Sequence, residues 1–256
     1  MDAARRPTTA VGHAAASQQP PSVCCLLPSG EICVAQEPTH QLLILTLSGE
    51  LRNVVDVEGS LLSFPTGLAC DARFLYVTDG MRDRVHQLSI RDGFRPHACS
   101  FRTGNGRDGM YYPHGSCLLS LQPGAPPTLF VADWGNHRIV ALDTSSDLDV
   151  LYSFGQKGRG AGQLMYPRGV AALPDSKLLV SDTDNNRLQI ASADGTFLRC
   201  IGGLRQPYAA VGVPGNGLTF VATMSGRLCM VALEGSQGRL LNAVDGSTIE
   251  TMAIEE

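Results

Sequence analysis

Residues 154–190 read FGQKGRGAGQLMYPRGVAALPDSKLLVSDTDNNRLQI. Inside this stretch, LLVSDTDNNRL (178–188) is a short apolar strand, a polar turn, and an aliphatic residue that opens another strand. The same form recurs in ICVAQEPTHQL (32–42), LYVTDGMRDRV (75–85), LFVADWGNHRI (129–139) and LTFVATMSGRL (218–228). The turns open at Gln36, Asp79, Asp133, Asp182 and Thr223, in steps of 43, 54, 49 and 41 residues. A proline-led landmark precedes each turn: PPSVC (20–24), PTGLA (65–69), PHGSC (113–117), PRGVA (167–171) and PYAAV (207–211). The proline stands 14 to 16 residues before the turn in four repeats and 20 in the third, whose surplus falls in QPGAPP (122–127), a loop insertion.

Each unit has room for a fourth strand, such as VLYSFG (150–155). No segment sustains an i, i+3, i+4, i+7 apolar pattern over three turns, so helices are not expected. Repeats of roughly 40 to 50 residues with four short strands each predict an all-β fold, a β-propeller. A blade cannot bury both faces of its sheet alone, so neighbours stack into one core. Five four-stranded blades are recognisable, over about 21–64, 65–112, 113–166, 167–206 and 207–256. Closure by a sixth blade is left open, with DGSTIETMAIEE (245–256) as either a closing strand or a ragged end. Residues 1–20 hold almost no large apolar side chain and are expected to form a flexible tail ahead of the propeller at 21–256.

Composition narrows the function classes. The chain is 43% apolar and 17% charged, which excludes wholesale disorder. A net charge of −4 argues against a dedicated nucleic-acid binder, DNA above all. The longest apolar run, QLLILTL (41–47), is less than half a membrane span, so no membrane partner is expected. The eight cysteines show no C-x-x-C spacing, so a zinc module is not expected, and Cys24, Cys33, Cys70 and Cys229, in apolar strand-like stretches, are expected to act as small hydrophobes. Without a signal peptide a cytoplasmic, reducing location is expected, although Arg5 and Arg6 against the single acid Asp2 give the tail a faint transit-peptide character.

The third and fourth repeats resemble NHL repeats. The resemblance rests on the glycine-rich loop, Tyr-Pro-x-Gly-Val-Ala, Val-Ser-Asp, then Asn-x-Arg and an aliphatic in 154–190. The second repeat keeps Asp79 and Arg84 but has Arg82 where the asparagine is expected, and the first and fifth keep only the apolar skeleton. The resemblance implies a propeller, usually of six blades. It also invites comparison with the amidating lyase branch, where histidines just after the blade-opening proline hold zinc. His114 matches that position, but Thr66, Arg168 and Tyr208 fill the equivalent places and Ser22 or Pro21 the first, so no metal or other cofactor is expected.

Asp79/Arg84, Asp133/Arg138 and Asp182/Arg187 repeat at a spacing of five. An Asp opening a turn can accept backbone N–H bonds two residues on, and the Arg can then pair with it, which points to structure and not catalysis. Asn136 and Asn186 suit positive φ in the same turns. The loops at 103–113 and 154–167 lack a G-K-[ST] ending and a following helix, so they read as connections between blades and not phosphate loops. No G-x-S-x-G or H-E-x-x-H is present.

The expected function is therefore a non-catalytic interaction platform for protein, with variable loops on a rigid disc. Trp134, His137, Arg168 and Tyr208 are the leading binding candidates. Single-stranded RNA is the alternative ligand, for which Arg82, Tyr111 and Tyr112 in the arginine-rich second repeat are the candidates. A metal-dependent lyase or hydrolase is the enzyme alternative, and oligomeric state is not legible.

Overall fold

The computed structural model describes residues 23–36, 39–55, 62–100, 109–212 and 218–232, and the backbone of 239–245. The expected tail at 1–20 and the segment 246–256 lie outside the described residues. Within the described residues twenty strands form five four-stranded antiparallel sheets, each a meander in chain order, arranged in a ring. Blade one holds β1 (Val23–Leu26), β2 (Ile32–Gln36), β3 (Gln41–Leu45) and β4 (Leu51–Val55). Blade two holds β5 (Pro65–Cys70), β6 (Phe74–Asp79), β7 (Arg84–Ser89) and β8 (Arg95–Cys99). Blade three holds β9 (Pro113–Leu119), β10 (Thr128–Asp133), β11 (Arg138–Asp143) and β12 (Val150–Phe154). Blade four holds β13 (Gly169–Leu173), β14 (Lys177–Asp182), β15 (Arg187–Ser192) and β16 (Phe197–Ile201). Blade five holds β17 (Pro207–Gly212), β18 (Leu218–Thr223), β19 (Arg227–Ala232) and β20 (Arg239–Asp245). The fold is a five-bladed β-propeller.

The landmarks fall where the strands begin and end. Gln36, Asp79, Asp133, Asp182 and Thr223 each close the second strand of their blade. The prolines at 65, 113 and 207 open innermost strands, and Pro167 stands two residues ahead of one. All eight cysteines lie in strands and are unpaired.

Period-2 alternation gives each middle strand two working faces. In β6, Leu75 and Val77 join a cluster with Leu42 and Leu62 of the blade-one side, while Phe74 and Tyr76 join Leu129 and Val131 of blade three. In β10 and β14 the opposite residues meet: Phe130 and Ala132 pack with Leu178 and Val180. Leu179 and Leu188 then pack with Val221 and Val231 of blade five. β6 and β10 are consequently buried at every position, and β14 at all but its first, whereas β2 alternates between buried and half-buried. Among the described residues no buried cluster joins blade five to blade one.

The innermost strands approach closely because the third residue of the landmark is glycine in blades two to four. A Cβ at Gly67, Gly115 or Gly169 would stand 2.5, 2.8 or 2.6 Å from the carbonyl oxygen of His114, Arg168 or Tyr208 in the next blade. Gly115 N–H also donates to Arg168 O at 2.8 Å. Glycine is used here for contact between backbones, and that contact fixes the residue after each blade-opening proline.

Candidate functional site

The signature carboxylates build the frame. Asp133 and Asp182 are fully buried, and each accepts a backbone N–H from the segment leading into its own blade: Tyr111 at 2.7 Å and Met165 at 2.7 Å. The Asp133 carboxylate also accepts from Asn136 Nδ2 at 2.9 Å and Arg138 Nε at 2.8 Å. Asp182 accepts from Asn185 Nδ2 at 2.8 Å, Arg187 Nε at 2.7 Å and Gln189 Nε2 at 2.9 Å. The carboxylate thus ties the blade's lead-in to its second hairpin, instead of capping its own turn two residues on.

Blade two departs from this plan. Asp79 accepts from Ser63 N–H at 2.7 Å and Phe64 N–H at 3.0 Å, but its charged neighbour is Arg82 Nε at 3.8 Å. Arg84 donates to Arg82 O at 3.2 Å instead, so the expected Asp79/Arg84 pair does not form. Arg82 occupies the position of Asn136 and Asn185 and takes the approach to the carboxylate. His86 stands where blade four has Gln189, its Nε2 3.8 Å from Asp79. Burial, opposed in part by Asp79, holds His86 down at about 4.

The positive-φ residues of these turns are Asp83 (φ 55°), His137 (φ 57°) and Asn186 (φ 56°); Asn136, expected there, is not among them. Their side chains form a clasp between blades. Asp83 Oδ1 accepts Tyr112 N–H at 2.7 Å, His137 Nδ1 accepts Tyr166 N–H at 3.1 Å, and Asn186 Oδ1 accepts Gln206 N–H at 2.9 Å. Burial, helped by the charge of Lys157, keeps His137 below the usual histidine range.

These clasps bring an aromatic belt to one mouth of the ring. Trp134 lies 4.5 Å from Tyr166, 5.6 Å from Tyr112 and 6.1 Å from His114, ring centre to ring centre. Tyr166 continues to His137 at 4.2 Å, Tyr112 to Phe64 at 5.9 Å, and His114 to Tyr208 at 6.2 Å. The Arg168 guanidinium stands over Trp134 at 5.4 Å and over Tyr208 at 5.6 Å. Arg168 Nη1 lies 3.0 Å from His114 Nε2. Since guanidinium can only donate, His114 Nε2 accepts and its proton is on Nδ1. Burial, helped by the adjacent Arg168, pushes His114 down to about 3.

Behind this mouth is a cavity of about 500 Å3, lined by the inner strands of all five blades with Arg168 and Tyr208 in its wall. The rest of its lining is dominated by small and aliphatic residues such as Leu68, Ala171 and Ala210. Trp134, Arg168, Tyr208, His137 and Tyr112 are therefore assembled at one place, and His114 lies among them. Tyr111 is at the edge, its ring against Gly135 and 43% exposed. Arg82 belongs to the Asp79 node. Phe64 and Tyr166 join the belt without having been singled out, although Phe64, Tyr112 and Tyr166 share a register signal: each immediately precedes a blade-opening proline.

The donor set at His114 does not suit a metal. An arginine, a threonine and a tyrosine fill the equivalent positions, and the guanidinium already holds the imidazole nitrogen that would coordinate. Among the described residues no group of three His, Cys, Asp or Glu could hold a metal ion. Among the described residues no helix is long and apolar enough to cross a membrane.

Residues 164–191, covering the lead-in and first three strands of blade four, match the family model of the NHL repeat. Protein lin-41 of Caenorhabditis elegans is 35% identical over 96 residues, 34% of this chain and 8% of lin-41. Tripartite motif-containing protein 2 of Homo sapiens is 41% identical over 49 residues, 19% of this chain and 7% of that protein. The matched part is thus under a tenth of the length of these relatives. In architecture the chain is similar to a chain in the crystal structure of a nidogen/laminin complex, with TM-score 0.68 and 16% identity over 87% of this chain and 78% of that one. It is also similar to a streptogramin B lyase, with TM-score 0.63 and 14% identity over 85% of this chain and 66% of the lyase. At these identities the likeness is one of fold.

Proposed function

We propose that this chain, a β-propeller of NHL repeats, is a non-catalytic binding platform whose ligand is another protein. The observation that carries the reading is the belt of Tyr112, Trp134 and Tyr166 with Arg168 and Tyr208, drawn from three blades onto one mouth of a rigid ring. Aromatic residues and arginine are the side chains that most often anchor protein interfaces. The frame around them is fully occupied with holding blades together, which supports recognition over reaction. The identities of the repeat relatives support the same reading only as far as the repeat itself extends.

The test is capture of proteins from an extract of the source cells by the full chain and by Trp134→Ala and Tyr208→Ala variants of unchanged melting temperature. A partner retained by the parent chain and lost at least tenfold by both variants supports the platform reading, since hot-spot truncations cost about 2 kcal/mol or more. A partner held equally by all three proteins overturns this face as the platform. Capture of single-stranded RNA in place of protein, weakening steeply with salt, would favour the RNA alternative.

A further inference from the structure

Three nitrogens in this mouth are buried and lack a hydrogen-bond partner: His114 Nδ1, Trp134 Nε1 and Arg168 Nε. All three carry hydrogens, given that His114 Nε2 accepts from Arg168. The residues contact one another, so the mouth concentrates three unmatched donors. Leaving a buried donor unmade costs on the order of 1–3 kcal/mol, and native structures rarely leave such groups together without a role. His114 itself is 2% exposed.

Arg168 is the charged member of the set, and no carboxylate stands within ion-pair distance of it among the described residues. Asp133 is committed to Arg138 and Asn136, Asp182 to Arg187 and Asn185, and Asp83 to the Tyr112 N–H, while Asp184 acts on His137 and makes no ion pair with Arg168. Arg138 and Arg187 are spent in those pairs, and among the described residues Arg168 is the guanidinium that stands between two aromatic rings. A nucleic-acid strand asks for a row of cations along its backbone. A single guanidinium fork asks for one carboxylate. Below it the cavity of about 500 Å3 offers small and aliphatic walls.

We propose that Arg168, set between Trp134 and Tyr208, is the receptor for a carboxylate of a bound peptide, and that the channel behind it takes the adjoining apolar side chain. This rests on the reading of the propeller as a protein-binding platform and names the chemistry that platform selects.

Trp134 is the sole tryptophan of the chain and lies against Arg168, so its emission reports directly on the site. Three probes are titrated into the full chain: acetyl-Ala-Ala-Ala-Leu with a free C-terminus, the same peptide as its amide, and acetyl-Ala-Glu-Ala-Leu amide. A saturable change with either acid peptide and none with the plain amide is expected. Whichever acid peptide binds tells a chain terminus from an acidic side chain. Arg168→Gln is expected to weaken binding roughly tenfold to a hundredfold, as loss of a charge-assisted bond does, with Arg168→Lys between the two. Equal response to acid and amide, retained binding in Arg168→Gln, or no response to any peptide at about 10 mM, a very weak limit, overturns the proposal. So does octauridylate or inorganic phosphate binding more tightly than both acid peptides. The acid–amide comparison is made on the parent protein and decides the matter even if the glutamine variant fails to fold. Partner capture that depends on Trp134 while carboxylate and amide peptides behave alike would sink this inference and leave the platform standing. Acid peptides that bind while no protein partner is captured would do the reverse.

Discussion

In blade four the turn opens on Asp182, a buried carboxylate that gathers the Met165 N–H, Asn185, Arg187 and Gln189. In blade five the same position is Thr223, whose hydroxyl accepts the Arg227 N–H at 3.2 Å and meets Ser225 at 3.0 Å. The first hub joins three parts of its blade, and the second closes a local turn. Packing follows the same division. β14 and β15 are buried on both faces between neighbours, while β18 alternates, and Val211 and Met224 of blade five are 61% and 49% exposed. Blade one mirrors this, with Gln36 in place of the acid and Leu26 62% exposed. Ionic hubs occur where a sheet is covered on both sides, because a carboxylate removed from water must be fully partnered.

The difference is open to direct attack. Asp182→Ala is expected to cost about 3–5 kcal/mol, the usual penalty for breaking a buried ionic cluster and stranding its donors. Thr223→Ala is expected to cost about 1 kcal/mol, one ordinary hydrogen bond. Denaturant unfolding of the two variants measures the contrast, and equal losses would remove the distinction between inner and end blades.

Acid is expected to act on the inner blades too. His86 and His114 are neutral when folded, with values held down at about 4 and about 3. Below the ordinary value near 6.5 the unfolded chain takes up protons that the folded chain refuses, so stability falls as pH falls. From pH 6.5 to 5 each histidine is expected to remove about 2 kcal/mol. Their contribution is whole above pH 6.5 and is lost on descending toward pH 4 and 3. His86→Gln should remove about 2 kcal/mol of the decline in stability between pH 7 and 5, and an unchanged slope would contradict its buried neutral state.

Close backbone approach is the third point of contrast. Gly169→Ala would set a Cβ 2.6 Å from Tyr208 O. It should cost about 1–3 kcal/mol as overpacking does and shift Trp134 emission through Arg168. The corresponding residue of blade five is already Ala209, and Ala209→Gly should cost no more than about 1 kcal/mol. Thermal melting with tryptophan fluorescence separates the two.

The sequence carried the register of blades two to five, because the proline and the turn residue are local signals set by backbone geometry; the first proline landmark, at 20, lies outside the described residues. It carried the binding mouth in part. Trp134, Arg168 and Tyr208 stand out by residue type and by position after the proline, whereas Tyr166 and Phe64 precede a proline and look like loop residues. What made them legible was the clasp from His137 and the hold of Asp79 on Phe64 N–H, contacts separated by 29 and 15 positions in the chain. The number of blades with two covered faces was not legible either, since β2 and β6 are similarly apolar strings and only their neighbours differ.

Arg84 tests how far the repeat signature can be trusted residue by residue. Its spacing from Asp79 is the same as that of Arg187 from Asp182, yet Arg187 donates to the carboxylate and to the Gly160 and Gln163 carbonyls, while Arg84 reaches Arg82 O. Arg187→Ala is therefore expected to lose about 1.5–3 kcal/mol, the range for hydrogen bonds to charged groups. Arg84→Ala is expected to stay within about 0.5 kcal/mol, as a surface substitution does. Arg82→Asn would restore the residue found in blades three and four and free the approach to Asp79. In that background Arg84→Ala should become costly, which a double-mutant cycle reads as coupling between positions 82 and 84. If the cycle shows no coupling, the displacement of Arg84 has another cause, and blade two differs from its neighbours in more than one residue.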